Sequence, residues 1–436
     1  MEFSKFNYLF KSQRFGNLLY NSETNTFAEL DDELYTSLLY IKESNDISGL
    51  SSDLLEKLKE AKILVPKNDT SLFYRKRLRY YFQNYNATEL GFALAPTTFC
   101  NFNCPYCYEE NRKPVFMTEE LENQFILFIK KHESVKNINL TWYGGEPLTG
   151  FKTIQSILSK MDKENIHLKY HSMVTNGYLL DEDKSKFFEC HPLNDIQITI
   201  DGSREYHDQR RILSNGGKTY DTIIRNIDTF FKYNKKTYVL IRVNIDSTNK
   251  ESFFQLYSEL TKRWKNELLY ISPAFVRGND ENANGCSSQC GILNRAEHVK
   301  FYFDLKEKYG MDIVFFPRHT IGCCGATTLN YYVVGPSGEL YKCWNDIGIQ
   351  DRVIGYLFND IIPNYNVLCQ YISGPTMFDD EQCKNCSVFP ICAGGCQWMR
   401  IKNVNEGTHY DLCTYKKDYL EQFLEAHYEM RKNAGK

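Results

Sequence analysis

Residues 91–111, GFALAPTTFCNFNCPYCYEEN, run from an apolar, strand-like stretch into a loop holding Cys100, Cys104 and Cys107 within eight positions. Thiols so closely spaced suit a metal, yet tetrahedral zinc and ordinary iron–sulfur sites use four ligands. Spacing alone leaves two readings open. The three could belong to a zinc site with a distant fourth ligand. They could instead hold a [4Fe–4S] cluster with one iron left open, the mark of a catalytic centre.

Outward from this loop, strands and helices alternate. Strand patterns cover Gly91–Pro96, Ile138–Trp142, Leu168–Thr175, Ile196–Asp201, Tyr238–Asp246 and Leu268–Phe275. Helical periodicity lies between them at Glu119–Lys131, Lys152–Met161, Asp181–Cys190, Tyr220–Tyr233 and Lys250–Trp264. Six such units predict an α/β fold with a parallel sheet, either a partial barrel or doubly wound. Such sheets place their sites at the carboxyl ends of the strands. The cysteines follow the first strand, YGGEP the second, TNG the third and DGSREYHDQRR the fourth. The four segments therefore share one mouth.

Upstream, GNLLYN and TNTFAEL read as two strands joined by a polar turn at Ser22–Asn25. Asp32 is expected to cap a helix carrying Leu34, Leu38 and Ile41, before a second helix with Leu54, Leu55 and Leu58 and a strand at Ile63–Val65. This order is that of a winged-helix-like α+β module. The expected domains are 1–70 for the module, 71–89 for a connector and 90–277 for the α/β core. A bridging region, 278–319, leads to a cysteine-rich domain, 320–420, and a helical tail, 421–436.

The 436 residues carry a net charge of −3, so charge makes no case for a nucleic-acid or anionic-membrane partner. No uninterrupted apolar run has the length of a membrane span, and the first twenty residues lack a signal-peptide core. A cytoplasmic location is expected. In a reducing compartment the 15 cysteines point to metal or redox chemistry rather than structural disulfides.

Taken together, Cys100-x3-Cys104-x-Tyr106-Cys107 resembles the signature loop of the radical S-adenosylmethionine (SAM) superfamily. The resemblance implies a partial (β/α)6 TIM-type barrel. In that family three thiolates hold a [4Fe–4S] cluster, and the amino and carboxylate groups of SAM fill the open iron. Tyr106 would occupy the aromatic slot, and Gly144, Gly145, Glu146 and Pro147 match the motif that lets backbone approach the SAM amino group. Thr175 and Asn176, Thr199 and Asp201, and Arg210 match later strand-end segments that contact the cofactor. The implied chemistry is reductive cleavage of SAM to a 5′-deoxyadenosyl radical, which abstracts hydrogen from an unactivated C–H bond.

The remaining clustered cysteines run Cys324-x13-Gly338-x4-Cys343, then Cys383-x2-Cys386-x5-Cys392-x3-Cys396, then Cys413. Their spacing alone suits zinc or iron–sulfur. Joined to such a core, it resembles the SPASM domain and implies two auxiliary [4Fe–4S] clusters, three in all. By that resemblance Cys383, Cys386, Cys392 and Cys413 hold the distal cluster, and Cys324, Cys343 and Cys396 the nearer one. Cys323 competes with Cys324 for its place, and the nearer cluster's fourth ligand is Cys323, Cys286, Cys290 or absent.

The front module resembles the PqqD-like recognition element that binds the leader of ribosomally made peptides (RiPPs) by strand addition. A peptide maturase forming a thioether or C–C cross-link is the function expected. Its partners would be a precursor peptide and an external donor such as flavodoxin or ferredoxin. Anaerobic sulfatase maturation and peptide epimerisation are the enzymatic alternatives, and a zinc-stabilised binding protein is the non-enzymatic one. Cys190, Cys286, Cys290 and Cys369 are the spare thiols for an epimerase hydrogen donor.

Overall fold

The computed structural model describes residues 1–107, 113–265, 268–276, 291–311, 315–322, 324–359, 364–414 and 416–434. Cys286, Cys290 and Cys323 lie outside them. The chain begins with β1 (Glu2–Phe3), β2 (Asn7–Ser12), β3 (Gly16–Asn21) and β4 (Thr26–Leu30), followed by α1 (Asp32–Ser44), α2 (Ser52–Glu60), β5 (Leu64–Val65) and α3 (Ser71–Asn84). Strands β2, β3 and β4 form an antiparallel sheet in that order, and β1 pairs with β5. The expected turn forms because the Asn21 side-chain oxygen accepts from the backbone N–H of Glu23 and Thr24 at 2.9 and 3.0 Å. The cap of α1 is Asp31, which accepts from Leu34 N at 2.7 Å, not Asp32 as expected. Asp32 opens the helix and accepts from Asn17 instead.

Then come β6 (Glu89–Leu94), α4 (Glu119–Lys130), β7 (Asn137–Trp142), α5 (Phe151–Lys163), β8 (Leu168–Thr175), α6 (Glu182–Cys190) and β9 (Asp195–Thr199). The short α7 (Arg204–Arg210) precedes α8 (Tyr220–Tyr233), β10 (Tyr238–Ile245), α9 (Ser252–Arg263), β11 (Leu269–Phe275) and α10 (Arg295–Glu307). Strands β6 to β11 are parallel and lie in sequence order, as in a partial barrel. Each helix buries one stripe. In α8 the stripe is Tyr220, Ile223, Ile224, Ile227 and Phe230, at the spacing of one helix face.

The sheet continues where the sequence suggested only a cysteine-rich region. Strand β12 (Tyr331–Val334) pairs in parallel with β6, and β13 (Glu339–Tyr341) and β14 (Gly355–Tyr356) add antiparallel strands, for nine among the described residues. Gly91 is needed for this junction, since a Cβ there would lie 2.6 Å from the Tyr331 ring. The chain closes with α11 (Tyr365–Ile372), α12 (Glu381–Lys384), α13 (Gln397–Asn405) and α14 (Lys416–Ala434). Among the described residues no helix is long and apolar enough to cross a membrane.

The chain forms two compact units. One comprises Met1–Asn84, Tyr302–Cys324 and Gly374–Lys436; the other comprises Tyr85–Phe301 and Gly325–Ser373. In the first unit the N-terminal sheet is covered on both faces. Leu19 packs with Leu38, Ile41 and Leu58 of the two helices. Phe10, Leu18 and Tyr20 point the other way, as strand alternation requires, and pack on Val388, Ile391, Leu420 and Leu424.

Candidate active site

The site builds up at the carboxyl ends of β6 to β10, within the second unit. After β6 the chain turns into the cysteine loop, and after β7 the Gly144–Pro147 turn closes on that loop. Gly145 N donates to Thr97 O at 3.2 Å and Glu146 N to Phe99 O at 2.9 Å. A Cβ on Gly144 would collide with the Thr97 carbonyl, and one on Gly145 with the carbonyls of Thr98 and Phe99. Gly144 also sits at φ +115°, where side chains are strained. These glycines thus admit the cysteine loop's own backbone.

Glu146 ties three strand ends together. Its fully buried carboxylate accepts from Thr175 Oγ1 at 2.7 Å, Asn176 N at 2.7 Å and Leu148 N at 3.0 Å. Burial raises its pKa, and these donors partly offset that rise. The Asn176 amide reaches back to Asn101 Oδ1 at 2.8 Å, and Pro147 begins a buried 3-10 turn.

A polar network lines the other side. The Tyr106 hydroxyl donates to Asp201 Oδ2 and accepts from Arg211 Nη1 at 2.7 Å. Arg210 pairs with Asp246 at 2.7 Å and lies 5.0 Å over the Tyr106 ring. His207 Nδ1 accepts from Asp201 N at 3.2 Å, which places its proton on Nε2, facing Thr219 Oγ1. Burial holds this imidazole well below its ordinary pKa. Thr199, the last residue of β9, is buried. The sequence reading missed Asn244 and Asp246, although they stand at the end of the fifth strand like the motifs it did use. Arg211 was passed over for its neighbour.

Cys100, Cys104 and Cys107 are partly buried. Burial pushes the Cys100 thiol up to about 12 and Cys104 up to about 11, although Arg211 opposes both shifts. Among the described residues no three His, Cys, Asp or Glu side chains converge on one ion. A cubane makes no such demand, because each thiolate binds a different iron.

The comparisons with known proteins agree with this geometry. The model of the radical SAM superfamily matches residues 94–260, which include the cysteine loop, the Gly144–Pro147 turn and the Tyr106 network. Residues 94–260 thus belong to the radical SAM superfamily. The chain is 25% identical over 358 residues to a cysteine-type anaerobic sulfatase-maturating enzyme of Clostridium novyi, covering 74% of this chain and 92% of that protein. It is 24% identical over 301 residues to the radical SAM cyclopropyl synthase TigE of Paramaledivibacter caminithermalis, covering 59% and 61%. The solved structure of anSMEcpe with bound AdoMet and a Cp18Cys peptide superposes with TM-score 0.59 at 21% identity, over 79% of this chain and 98% of that one. Streptococcus suis SuiB bound to the precursor peptide SuiA superposes with TM-score 0.55 at 15% identity, over 95% and 99%.

A radical SAM enzyme needs one [4Fe–4S] cluster and SAM, and the donors here fit both. Three thiols share one loop. Asn101 Nδ2, Arg210 Nη2 and Arg211 Nε are buried donors with no hydrogen-bond partner among the described residues, suited to an anionic group such as a carboxylate.

The cysteines of the C-terminal half fall in both units. Cys383, Cys386, Cys392 and Cys413 all belong to the first. Arg400 lies 3.6 Å from Cys383 Sγ and pairs with Asp380, and Lys417 lies 3.9 Å from Cys413 Sγ. Backbone Gly394 N donates to Cys392 Sγ at 3.3 Å. Cys396 opens α13 and Cys324 is exposed, both in the first unit; Cys343 follows β13 in the second. Cys190 and Cys369 are exposed.

Proposed function

We propose that the protein is a peptide maturase that cross-links a ribosomally made precursor. In it Cys100, Cys104 and Cys107 hold the SAM-binding cluster. Asn101, Arg210 and Arg211 supply donors for the SAM carboxylate, and Cys383, Cys386, Cys392 and Cys413 hold an auxiliary cluster. With the second auxiliary cluster that the cysteine spacing implies, the protein would carry three. When bound, the SAM-loaded cluster supplies a radical that abstracts hydrogen from the peptide. This chain's part is to orient SAM through the strand-end donors and to shield the site with Phe102 and Tyr178, whose rings meet edge to face.

One observation carries the reading. The likeness to SuiB spans 95% of the chain, leaving out about 22 residues, fewer than the N-terminal sheet and its helices occupy. A front module of this kind supports capture of a precursor, with an extended peptide adding to an edge strand. In the sheet β2, β3, β4 each outer strand pairs on one side only.

The sequence likeness to sulfatase-maturating enzymes, over 92% of the length of the first of them, favours formylglycine formation as the second reading. Mass spectrometry separates the two. Reconstituted enzyme would be offered any small peptide encoded beside its gene and, separately, a cysteine-bearing sulfatase peptide. Cross-linking removes two hydrogens from the first; formylglycine formation removes sulfur from the second. Turnover of the sulfatase peptide alone would sink the cross-linking reading.

A further inference from the structure

Lys76 lies on α3, a helix outside every cysteine motif, yet it is buried against one of them. Its side chain is 6% exposed. Its Nζ donates to the carbonyl oxygens of Phe389 at 2.5 Å, Cys392 at 2.8 Å and Pro390 at 3.5 Å, and sits 4.7 Å over the Phe389 ring. An ammonium has three donors, and this loop presents three acceptors. The loop is the short span between Cys386 and Cys392, too tight to make a regular element. The span's own backbone bonds run from Phe389 N to Cys386 O and from Ile391 N to Val388 O, both at 3.1 Å, and from Cys392 N to Phe389 O at 3.4 Å; Lys76 adds the contact that reaches the Cys392 carbonyl.

We propose that Lys76 is a positioning residue for the distal auxiliary cluster, which rests on the assignment of Cys383, Cys386, Cys392 and Cys413 made above. The ammonium gathers three carbonyl dipoles to one side of the loop. This leaves loop N–H groups, such as that of Gly394, for the cysteine sulfurs. Its positive charge also lies beside a site where thiolates concentrate negative charge, and so favours the reduced cluster. Without the lysine, the Cys392 carbonyl loses its 2.8 Å donor, and Phe389 O and Pro390 O keep only long backbone bonds at 3.4 Å; buried acceptors so poorly paired are costly. The loop would then move, and with it the spacing of Cys386 and Cys392. Arg400 supports the same ring from the side of Cys383.

Iron analysis and redox titration test this on the full-length reconstituted protein. Three clusters correspond to about twelve iron per chain. Lys76→Met is expected to bring the count to about eight, with the electron paramagnetic resonance signal of one auxiliary cluster lost. Lys76→Gln keeps a donor without the charge. It is expected to retain the cluster but shift its midpoint potential downward, a change that a packing role alone would not produce. Lys76→Arg should restore both iron and potential. Wild-type iron in Lys76→Met, or a wild-type potential in Lys76→Gln, overturns the role of the lysine. A wild-type protein with only about four iron overturns the auxiliary-cluster assignment along with it.

Discussion

Gly145 shows how tightly the cysteine loop is held. An alanine there would put its Cβ inside the contact distance of two backbone carbonyls that cannot swing away. Gly145→Ala should therefore displace Thr98 and Phe99 and lower iron content by about four per chain, with loss of SAM cleavage. Gly49→Ala, where a Cβ meets nothing within 4 Å, is the control and should change neither. Asp246 allows a second test at this scale. Its carboxylate is fully buried and paired with Arg210, so Asp246→Asn removes the nearer of two counter-charges and leaves the buried guanidinium only Asp201, 3.7 Å from its Nε. A loss of about 3 kcal/mol in a chemical denaturation curve is expected. An unchanged midpoint would mean that Arg210 finds its compensation elsewhere. The cysteines and glycines were legible from their spacing. The Asp246–Arg210 pair was not, because nothing local in NIDST distinguishes a buried carboxylate from a solvated one.

At the scale of elements, β7 and β8 are joined by more than their ladder. Trp142 Nε1 donates to His171 Nε2 at 2.7 Å, so the imidazole is neutral, with its proton on Nδ1 facing Pro192 O. Burial lowers its pKa from 6.5 to about 4. The unfolded chain therefore takes up this proton first as pH falls. The histidine costs nothing above pH 6.5, and stability is lost progressively between 6.5 and 4, by about 3 kcal/mol in all. His171→Gln keeps an acceptor for the indole and should flatten the decline between pH 6.5 and 5, measured by thermal melts across that range. An equally steep decline would assign the acid sensitivity to other groups. The six parallel strands and their helices were readable within a residue or two, because each buries a regular stripe. Strands β12 to β14 were not. Tyr331–Val334 is short, and what makes it a strand is the β6 edge on which it lies. Strand β2 was missed for a similar reason, since its lysine and asparagine mask an alternation that only the finished sheet makes plain.

For the whole molecule, the important fact is that the N-terminal module is not an appendage. Its sheet forms part of the hydrophobic core shared with the cysteine segment and α14. Removing residues 1–84 would bare Val388, Ile391, Leu420 and Leu424, at about 1.5–3 kcal/mol for each large apolar side chain re-exposed. The truncated protein should be cut rapidly by protease between 374 and 434, while Tyr85–Phe301 resists. Equal resistance of both segments would mean that the module folds apart from the rest.

The same arrangement has a consequence for how the protein comes off the ribosome. Phe10, Leu18 and Tyr20 are made about 370 residues ahead of the Val388 and Ile391 that cover them. At ordinary elongation rates this leaves an apolar sheet face open for on the order of tens of seconds. Over that interval the nascent chain depends on a chaperone to keep that face from sticking, and slower synthesis would lengthen the exposure. The proposed cysteine ring, completed only when Cys413 emerges, would be among the last parts of the chain ready to receive metal.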